Sequence, residues 1–431
     1  MNKPIRADND FDEENLFKPK SATIIGMRLR LGLIGKTNTG KTTFFNAATL
    51  LSGEVSTYPF TTKTPYAGTA SAVTLCVHKE FRVKDDPVNS KCIEGWRLIP
   101  VELIDLPGLI KGSSAGKGLG FQFLSHAAQS DALLHIVDAS GSVDAEGRIT
   151  EPGTGDPVAD IGDIEEELVL WYLRLLQNNA SKISRSIKSG TSLEAAIREV
   201  FSGIGVKEHH VKTALQQAKL EGKDFENWSD EECKEFCWIL RDISKPTLIV
   251  ANKMDIKTAP ENFKRIQEAY SDMIVVPASA EAELILRRAS EKGLIEYIPG
   301  EERFKVVNPN LLNERQRWAL NFIRRAVLGQ FMRTGVQFAI NVAVFKLLRM
   351  NTVYPVYDPV KLSDKHGRVL PDVLLMPSGS TVRDLAREIH TELEKGLLYA
   401  IDARTGLRLP TDYELKDRDV LSIVSATRSR G

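Results

Sequence analysis

Short apolar runs recur along the first two thirds of this 431-residue chain, and most of them end in a polar residue. Residues 28–34 alternate apolar and polar, as a strand does, and residues 41–51 then carry helical spacing. Residues 100–105, 133–138, 246–251 (PTLIVA) and 273–277 (MIVVP) are compact apolar runs of the kind buried in parallel sheets. Strands interleaved with helices predict an α/β fold, a mostly parallel sheet covered on both faces, with ligands at the carboxyl ends of its strands.

The pattern changes after residue 141. Gly and Pro punctuate GRITEPGTGDP, and amphipathic stretches follow, such as IEEELVLWYLRLLQ and SDEECKEFCWIL. This predicts a helical insertion at about 141–241 within a nucleotide-binding domain spanning 27–310. Residues 311–351 read as a helical connector, where Arg315, Arg317, Arg324, Arg325 and Arg333 are answered only by Glu314. Residues 352–431 show short strands and one helix. The helix begins at Thr381, with Asp384 placed to complete a capping box. Residues 1–26 are polar and mixed in charge, with little apolar periodicity, and read as an unstructured extension.

Composition adds limits. Hydrophobic residues make up 42% and charged residues 26%, and the formal net charge is zero. No global field draws the chain to nucleic acid, so any such surface must be a local patch. The sequence has neither a signal-peptide pattern nor a membrane-length apolar run, which predicts a cytoplasmic protein with no membrane partner. Its four cysteines (Cys76, Cys92, Cys233 and Cys237) include no CxxC pair and read as reduced structural thiols without a metal. His390, at a helix end, reads as a cap, and no role is assigned to His209 or His210.

Four motifs occur in order. GKTNTGKT comprises Gly35, Lys36, Thr37, Asn38, Thr39, Gly40, Lys41 and Thr42; with Thr43 it lies between a strand and a helix, the setting of a phosphate-binding loop. Lys41 would bring a charge to the β- and γ-phosphates and Thr42 a hydroxyl to magnesium. In DLPG, Asp105 would hold magnesium through water, and Gly108 would offer its N–H to the γ-phosphate. In NKMD, the Asp255 carboxylate suits the N1–H and exocyclic amine of guanine, a donor pair that adenine lacks. Lys253 would lie along the base, and Asn252 would tie this loop to the phosphate loop. The backbone of Ser279 and Ala280 would meet the guanine O6. The ligand implied is GTP or GDP. An ATPase is the alternative that NKMD opposes.

YPFTTKTPYAG (residues 58–68) and DLPGLIKGSSAGKGLGFQFL (residues 105–124) closely resemble the two switch motifs of Obg-family GTPases. The insertion and C-terminal texture resemble a YchF-related branch. YchF members often lose NKxD, which this chain keeps. PDVLLMPSGSTVRDLAREIH resembles a TGS domain, a small β-grasp module. DRG-type GTPases also carry TGS modules but differ in their switch text. The resemblance implies that Thr62, with Thr61 as second candidate, closes on magnesium and the γ-phosphate. It also implies GTP hydrolysis and a ribosome or RNA partner, for a chain read as a monomer. The other reading is a nucleotide-gated RNA-binding module whose hydrolysis is incidental. Leu109 stands where many GTPases carry a water-orienting Gln, so hydrolysis is expected to be slow. By the same resemblance Asn38 would hold a potassium ion; its other reading is a brace for the loop.

Overall fold

The computed structural model describes residues 29–50, 55–57, 66–108 and 129–426. The N-terminal extension therefore lies outside the described residues, as do Thr61, Thr62, Leu109 and most of both switch stretches.

The main sheet runs β2-β3-β5-β1-β6-β7-β8, with β4 paired to β5. Its strands are β1 (Arg30–Ile34), β2 (Val55–Thr57), β3 (Tyr66–Leu75), β4 (Lys91–Ile93), β5 (Trp96–Asp105), β6 (Ala132–Asp138), β7 (Thr247–Asn252) and β8 (Val275–Pro277). The five strands from β5 to β8 are parallel, and β2, β3 and β4 form an antiparallel flank. Every residue of β6 and β7 is buried, which explains their unbroken apolar text.

Helices cover both faces. On one side α1 (Lys41–Thr49) packs with later helices over Leu31, Leu33 and Val250. The short α2 (His78–Phe81) follows β3, and on the other side of the sheet α3 (Pro157–Asn178) crosses through Ile164 and Leu168, which meet Ile34 and Leu133. Asp156 caps α3, accepting the Val158 N–H at 3.2 Å, and Pro157 occupies its first position. The far half of α3 leaves the sheet. Together with α4 (Ala180–Lys188), α5 (Leu193–Phe201), α6 (Glu208–Gln217) and α7 (Asp230–Ser244) it encloses a separate core around Tyr172, Phe201 and Phe236. Residues 141–156, which the text places in the helical insertion, instead form a loop. They carry four glycines and a proline and cannot sustain helical hydrogen bonding.

The chain continues through α8 (Ala259–Ala269), α9 (Ala280–Glu291) and a small hairpin of β9 (Ile295–Glu296) and β10 (Lys305–Val306). Next come α10 (Glu314–Phe322), extended by a π-helical stretch Ile323–Leu328, and α11 (Val336–Asn341). The segment expected as a connector is part of the core here: Val336, Ala339, Ile340 and Val344 are buried against the sheet.

A second sheet runs β12-β11-β15-β13-β14. It consists of β11 (Met350–Val356), β12 (Leu374–Pro377), β13 (Leu397–Asp402), β14 (Arg408–Leu409) and β15 (Asp419–Ser425). It holds α12 (Val382–Ile389) and α13 (Thr391–Lys395) on one face, α12 through Leu385 and Ala386. Thr381 and Asp384 form the expected capping box, the Thr381 N–H reaching Asp384 Oδ2 at 2.8 Å. His390 is the C-cap of α12, as expected, its N–H reaching Ala386 O at 3.0 Å, and it also caps the start of α13, its Nδ1 accepting the Glu392 N–H at 3.1 Å. His210 also acts locally, its Nδ1 accepting the Lys207 N–H at 3.2 Å.

The cysteines divide. Cys233 and Cys237 pack with the insertion core, as ordinary thiols do. All four are free thiols, and Cys76 and Cys92 come together with His78 and Asp85, a grouping that the spacing did not predict.

Candidate functional site

The carboxyl ends of β5, β1, β6, β7 and β8 converge on one rim of the sheet, and four of the five lead directly into a motif residue. After β1 the chain turns through Gly35 (φ 140°) and Gly40 (φ 95°). A Cβ at Gly35 would stand 2.3 Å from the Ile136 carbonyl oxygen, and one at Gly40 would stand 2.3 Å from the Asn252 amide nitrogen. Both positions demand glycine on grounds of space as well as conformation. Lys41 opens α1, and its Nζ donates to the carbonyls of Gly35 (3.0 Å) and Lys36 (2.5 Å). Burial brings its pKa down to about 8, against a smaller opposing pull from Asp105.

Thr42 donates its hydroxyl to Asp105 Oδ2 at 2.7 Å, while Oδ1 of the same carboxylate is buried with no hydrogen-bond partner. Burial raises the Asp105 pKa. A hydroxyl beside an unsatisfied buried carboxylate oxygen is a pair of hard oxygen donors, which suits a magnesium ion. Gly108 approaches the loop so closely that a Cβ would lie 2.9 Å from the Thr37 backbone nitrogen. Thr39 bonds within the loop, its hydroxyl donating to Lys36 O at 3.0 Å, and Thr43 lies on the first turn of α1.

At the base-reading end, Asn252 links two loops. Its Nδ2 donates to Thr39 O at 2.9 Å, and its Oδ1 accepts the Ala280 N–H at 3.0 Å. Lys253 sits at φ 64° and sends its ammonium to Asp138 Oδ2 at 2.9 Å, laying its stem across the end of β6. Asp255 is partly exposed, and Ser279 holds it by a 2.6 Å hydrogen bond from its hydroxyl to Oδ1.

The Ser279 and Ala280 N–H groups were expected to meet the guanine O6. In the structure Ser279 N donates to Thr334 O at 2.8 Å and Ala280 N donates to Asn252, so both donors serve the scaffold. Lys36, expected in the phosphate loop, keeps its place in the loop backbone while its side chain is buried in an ion pair with Asp160 of α3, with Asp163 at 3.9 Å. What it offers the loop is its backbone carbonyl.

Other contributors were missed. Asp138, at the end of β6, receives the Ser140 and Ser142 hydroxyls at 2.5 and 2.8 Å as well as Lys253. It thereby fixes the start of the 141–156 loop, which reaches back over the phosphate loop. There Thr37 Oγ1 and Asn38 Nδ2 both donate to Gly147 O, at 3.1 and 2.9 Å. A Cβ at Gly147 (φ 81°) would sit 2.1 Å from Thr37 Oγ1. Asn38 is thus engaged as a brace by its nitrogen. The strand-ending Asp and the glycine density of GRITEPGTGDP were the available signals.

A separate surface lies on α10. Trp318 is 69% exposed and stacks on Phe322, with ring centroids 5.3 Å apart. Arg315 and Arg325 are exposed on the same segment, Arg317 donates to the Leu312 and Pro309 carbonyls, and Arg324 covers Phe304. Arg333 approaches Glu302 at 3.8 Å.

Three family models match the chain: a 50S ribosome-binding GTPase over residues 30–158, an Obg-like GTPase YGR210-like, G4 motif-containing domain over 250–358, and a TGS domain over 365–425. The chain is 42% identical to an uncharacterised GTP-binding protein of Methanocaldococcus jannaschii, over 92% of this chain and 99% of that one. It is 30% identical to the ribosome-binding ATPase YchF of Bacillus subtilis, over 62% of this chain and 70% of that one. Among solved structures it resembles a GTP-binding protein from Pyrococcus horikoshii, with TM-score 0.74 and 38% identity, covering 92% of this chain and all of that one.

Proposed function

The chain belongs to the Obg- and YchF-like family of P-loop GTP-binding proteins, and from that membership we propose that it binds GTP and hydrolyses it slowly to GDP and phosphate, as a switch for an RNA or ribosomal partner. The observation that carries this reading is the pair of hydrogen bonds made by the Asn252 side chain. It ties the loop bearing Asp255 to the phosphate loop on one side and to α9 on the other. The distance between the base reader and the phosphate cradle is thereby set before any ligand arrives, which lowers the ordering cost of binding.

Asp255, aligned by Ser279, accepts the two guanine donors, and adenine would leave that carboxylate unpaired. Lys41 is held by two carbonyls near the loop and transfers its ammonium to phosphate oxygens, whose charge makes the stronger bond. Thr42 and Asp105, with Thr62 from the first switch stretch, would hold a magnesium ion that neutralises phosphate charge. Water attacks the γ-phosphorus, the bond to the β–γ bridging oxygen breaks, and Gly108 presents its N–H to the departing phosphoryl group. With Leu in place of Gln at position 109, no side chain there orients the water, so turnover is slow. Asn38 is the group through which potassium would assist. The Gly147 carbonyl already fixes its amide nitrogen, leaving the amide oxygen for the ion.

The stacked Trp318 and Phe322 beside exposed arginines support a nucleic-acid partner, because bases stack on aromatic faces while guanidinium groups meet phosphates. One experiment tests both parts. Turnover of GTP and of ATP by the purified chain is measured with and without ribosomes. GTP turnover that rises with ribosomes supports the whole reading. Equal turnover of both nucleotides contradicts the guanine assignment. Guanine-selective turnover indifferent to ribosomes leaves the nucleotide assignment and removes the partner. Ribosome binding that depends on nucleotide, with unchanged turnover, favours a gated binding module whose hydrolysis is incidental.

A further inference from the structure

We propose that Cys76, His78, Asp85 and Cys92 form a structural zinc site that pins the C-terminal module to the main sheet. The four come from separate pieces of backbone. Cys76 follows the last residue of β3, His78 opens α2, Asp85 lies in the loop after it, and Cys92 is on β4. Their donor atoms all lie within 4.8 Å of one another. Cys76 Sγ is 3.3 Å from Asp85 Oδ2, which is 3.3 Å from His78 Nδ1, which in turn is 3.5 Å from Cys92 Sγ. Tetrahedral ligands at the usual zinc distances of about 2.0–2.3 Å stand about 3.3–3.8 Å apart, so these three separations match edges of such a site, and the remaining ones need only a small contraction to close on an ion. Two thiolates, an imidazole and a carboxylate are a donor set that favours zinc over hard cations, which take oxygen alone.

The surroundings fit a charged centre. Arg97 is fully buried, with NH1 3.0 Å from Asp85 Oδ2 and 4.0 Å from Cys76 Sγ. Zinc and Arg97 together supply three positive charges, and two thiolates with Asp85 supply three negative ones, so the buried cluster is neutral when loaded. Tyr354, on β11 of the second sheet, lies beside Cys76 with its hydroxyl buried and without a partner. A metal-bound thiolate would accept that hydroxyl far better than a neutral thiol does, as outer-shell donors to zinc ligands commonly serve.

The site stands where the two sheets meet. Arg97 NH2 donates to Leu370 O at 2.7 Å, Asp86 N to Val369 O at 2.8 Å and Val88 N to Pro371 O at 2.7 Å. Asn89 and Val373 exchange two further bonds, at 2.8 and 3.1 Å. The whole 76–92 stretch is therefore a docking platform with little regular structure of its own. A metal that cross-links its start, middle and end would give it one shape, and with it one orientation of the C-terminal module.

The test uses the full chain, reduced and stripped with chelator, then supplied with zinc or cobalt and desalted. The expected result is about one metal bound per chain, with cobalt giving the visible bands of a tetrahedral thiolate site. The variant C76S/C92S should bind none and C233S/C237S should still bind one. Cobalt bands in the wild type do not depend on how the variants fold. Asp85→Asn, which keeps three ligands, should weaken zinc at least about tenfold. Absence of stoichiometric metal in the reduced, folded wild type would overturn the proposal, as would uptake unchanged in C76S/C92S. So would a Cys76–Cys92 disulfide whose reduction yields no metal binding.

Discussion

The paired strands β3 and β5 have a different kind of site at each end. At one end Asp105 closes β5 beside Thr42 and the phosphate loop. At the other, about ten residues or roughly 33 Å of strand away, Cys76 and Arg97 meet the C-terminal sheet. The nucleotide end is built from short contiguous motifs, because parallel strands deliver consecutive residues to one rim. The joint is built from residues spread over seventeen positions, gathered by antiparallel pairing of β4 and β5, in which Cys92 stands opposite Arg97. A rim site is written in the local text, whereas a joint site is written in the pairing register.

The comparison predicts that the ends fail independently. Lys41→Ala should lower GTP affinity by about 10²- to 10³-fold, from the loss of charge-assisted phosphate contacts, while metal content stays unchanged. Titration calorimetry and metal analysis on the same preparation would check this.

Two glycines of identical φ sharpen the contrast. Gly40→Ala drives a Cβ to 2.3 Å from the Asn252 amide, which is held at both ends, and should lower GTP affinity at least about tenfold. Gly95→Ala, also at φ 95°, meets the flexible Lys79 stem and should cost only about 1 kcal/mol of strain, visible in melting and not in GTP binding.

At the rim the pH dependence follows Lys41. With its pKa lowered to about 8, free Lys41 loses its proton above pH 8, while phosphate binding favours the charged form. GTP affinity should therefore be flat below pH 8 and fall above it, by up to about tenfold per unit until the ordinary lysine range is reached. The sign for folding is opposite. Depressing a lysine pKa costs stability below the folded value, and the cost fades as pH rises toward 10.5. Smallest of all, replacing sodium by potassium should raise GTP turnover about threefold, through charge placed near the β–γ bridge, and equal rates would remove that role from Asn38.

Much of the rim was legible. Gly35, Gly40, Lys41, Thr42, Asp105, Asn252 and Asp255 all come to one edge of the sheet, where the strand endings placed them. The α/β order and the short strands and helix of the C-terminal segment were legible for the same reason, since both rest on local periodicity, whereas the β-grasp module was implied by the resemblance to a TGS domain. The scaffold bond of the Ser279 N–H was not legible because its partner Thr334 lies 55 residues later in the chain; Gly335 (φ 88°) passes so close that a Cβ would lie 2.0 Å from Pro277 O. The Lys36 ion pair was not legible because its partner Asp160 follows a loop of no regular pattern. The Cys-His-Asp-Cys cluster escaped notice because only Cys76 and His78 are close in sequence, while Asp85 and Cys92 join them from seven and fourteen residues further on.

Guanine selectivity through Asp255 is the central claim, and competition for the site by GTP, ATP and XTP tests it most directly. The wild type should prefer GTP by at least about 100-fold, the worth of two hydrogen bonds to a charged acceptor. Asp255→Asn should reverse the order in favour of XTP, whose C2 carbonyl accepts from the new amide where guanine offers a second donor. Equal binding of ATP and GTP, or a variant that still prefers GTP, would contradict the account.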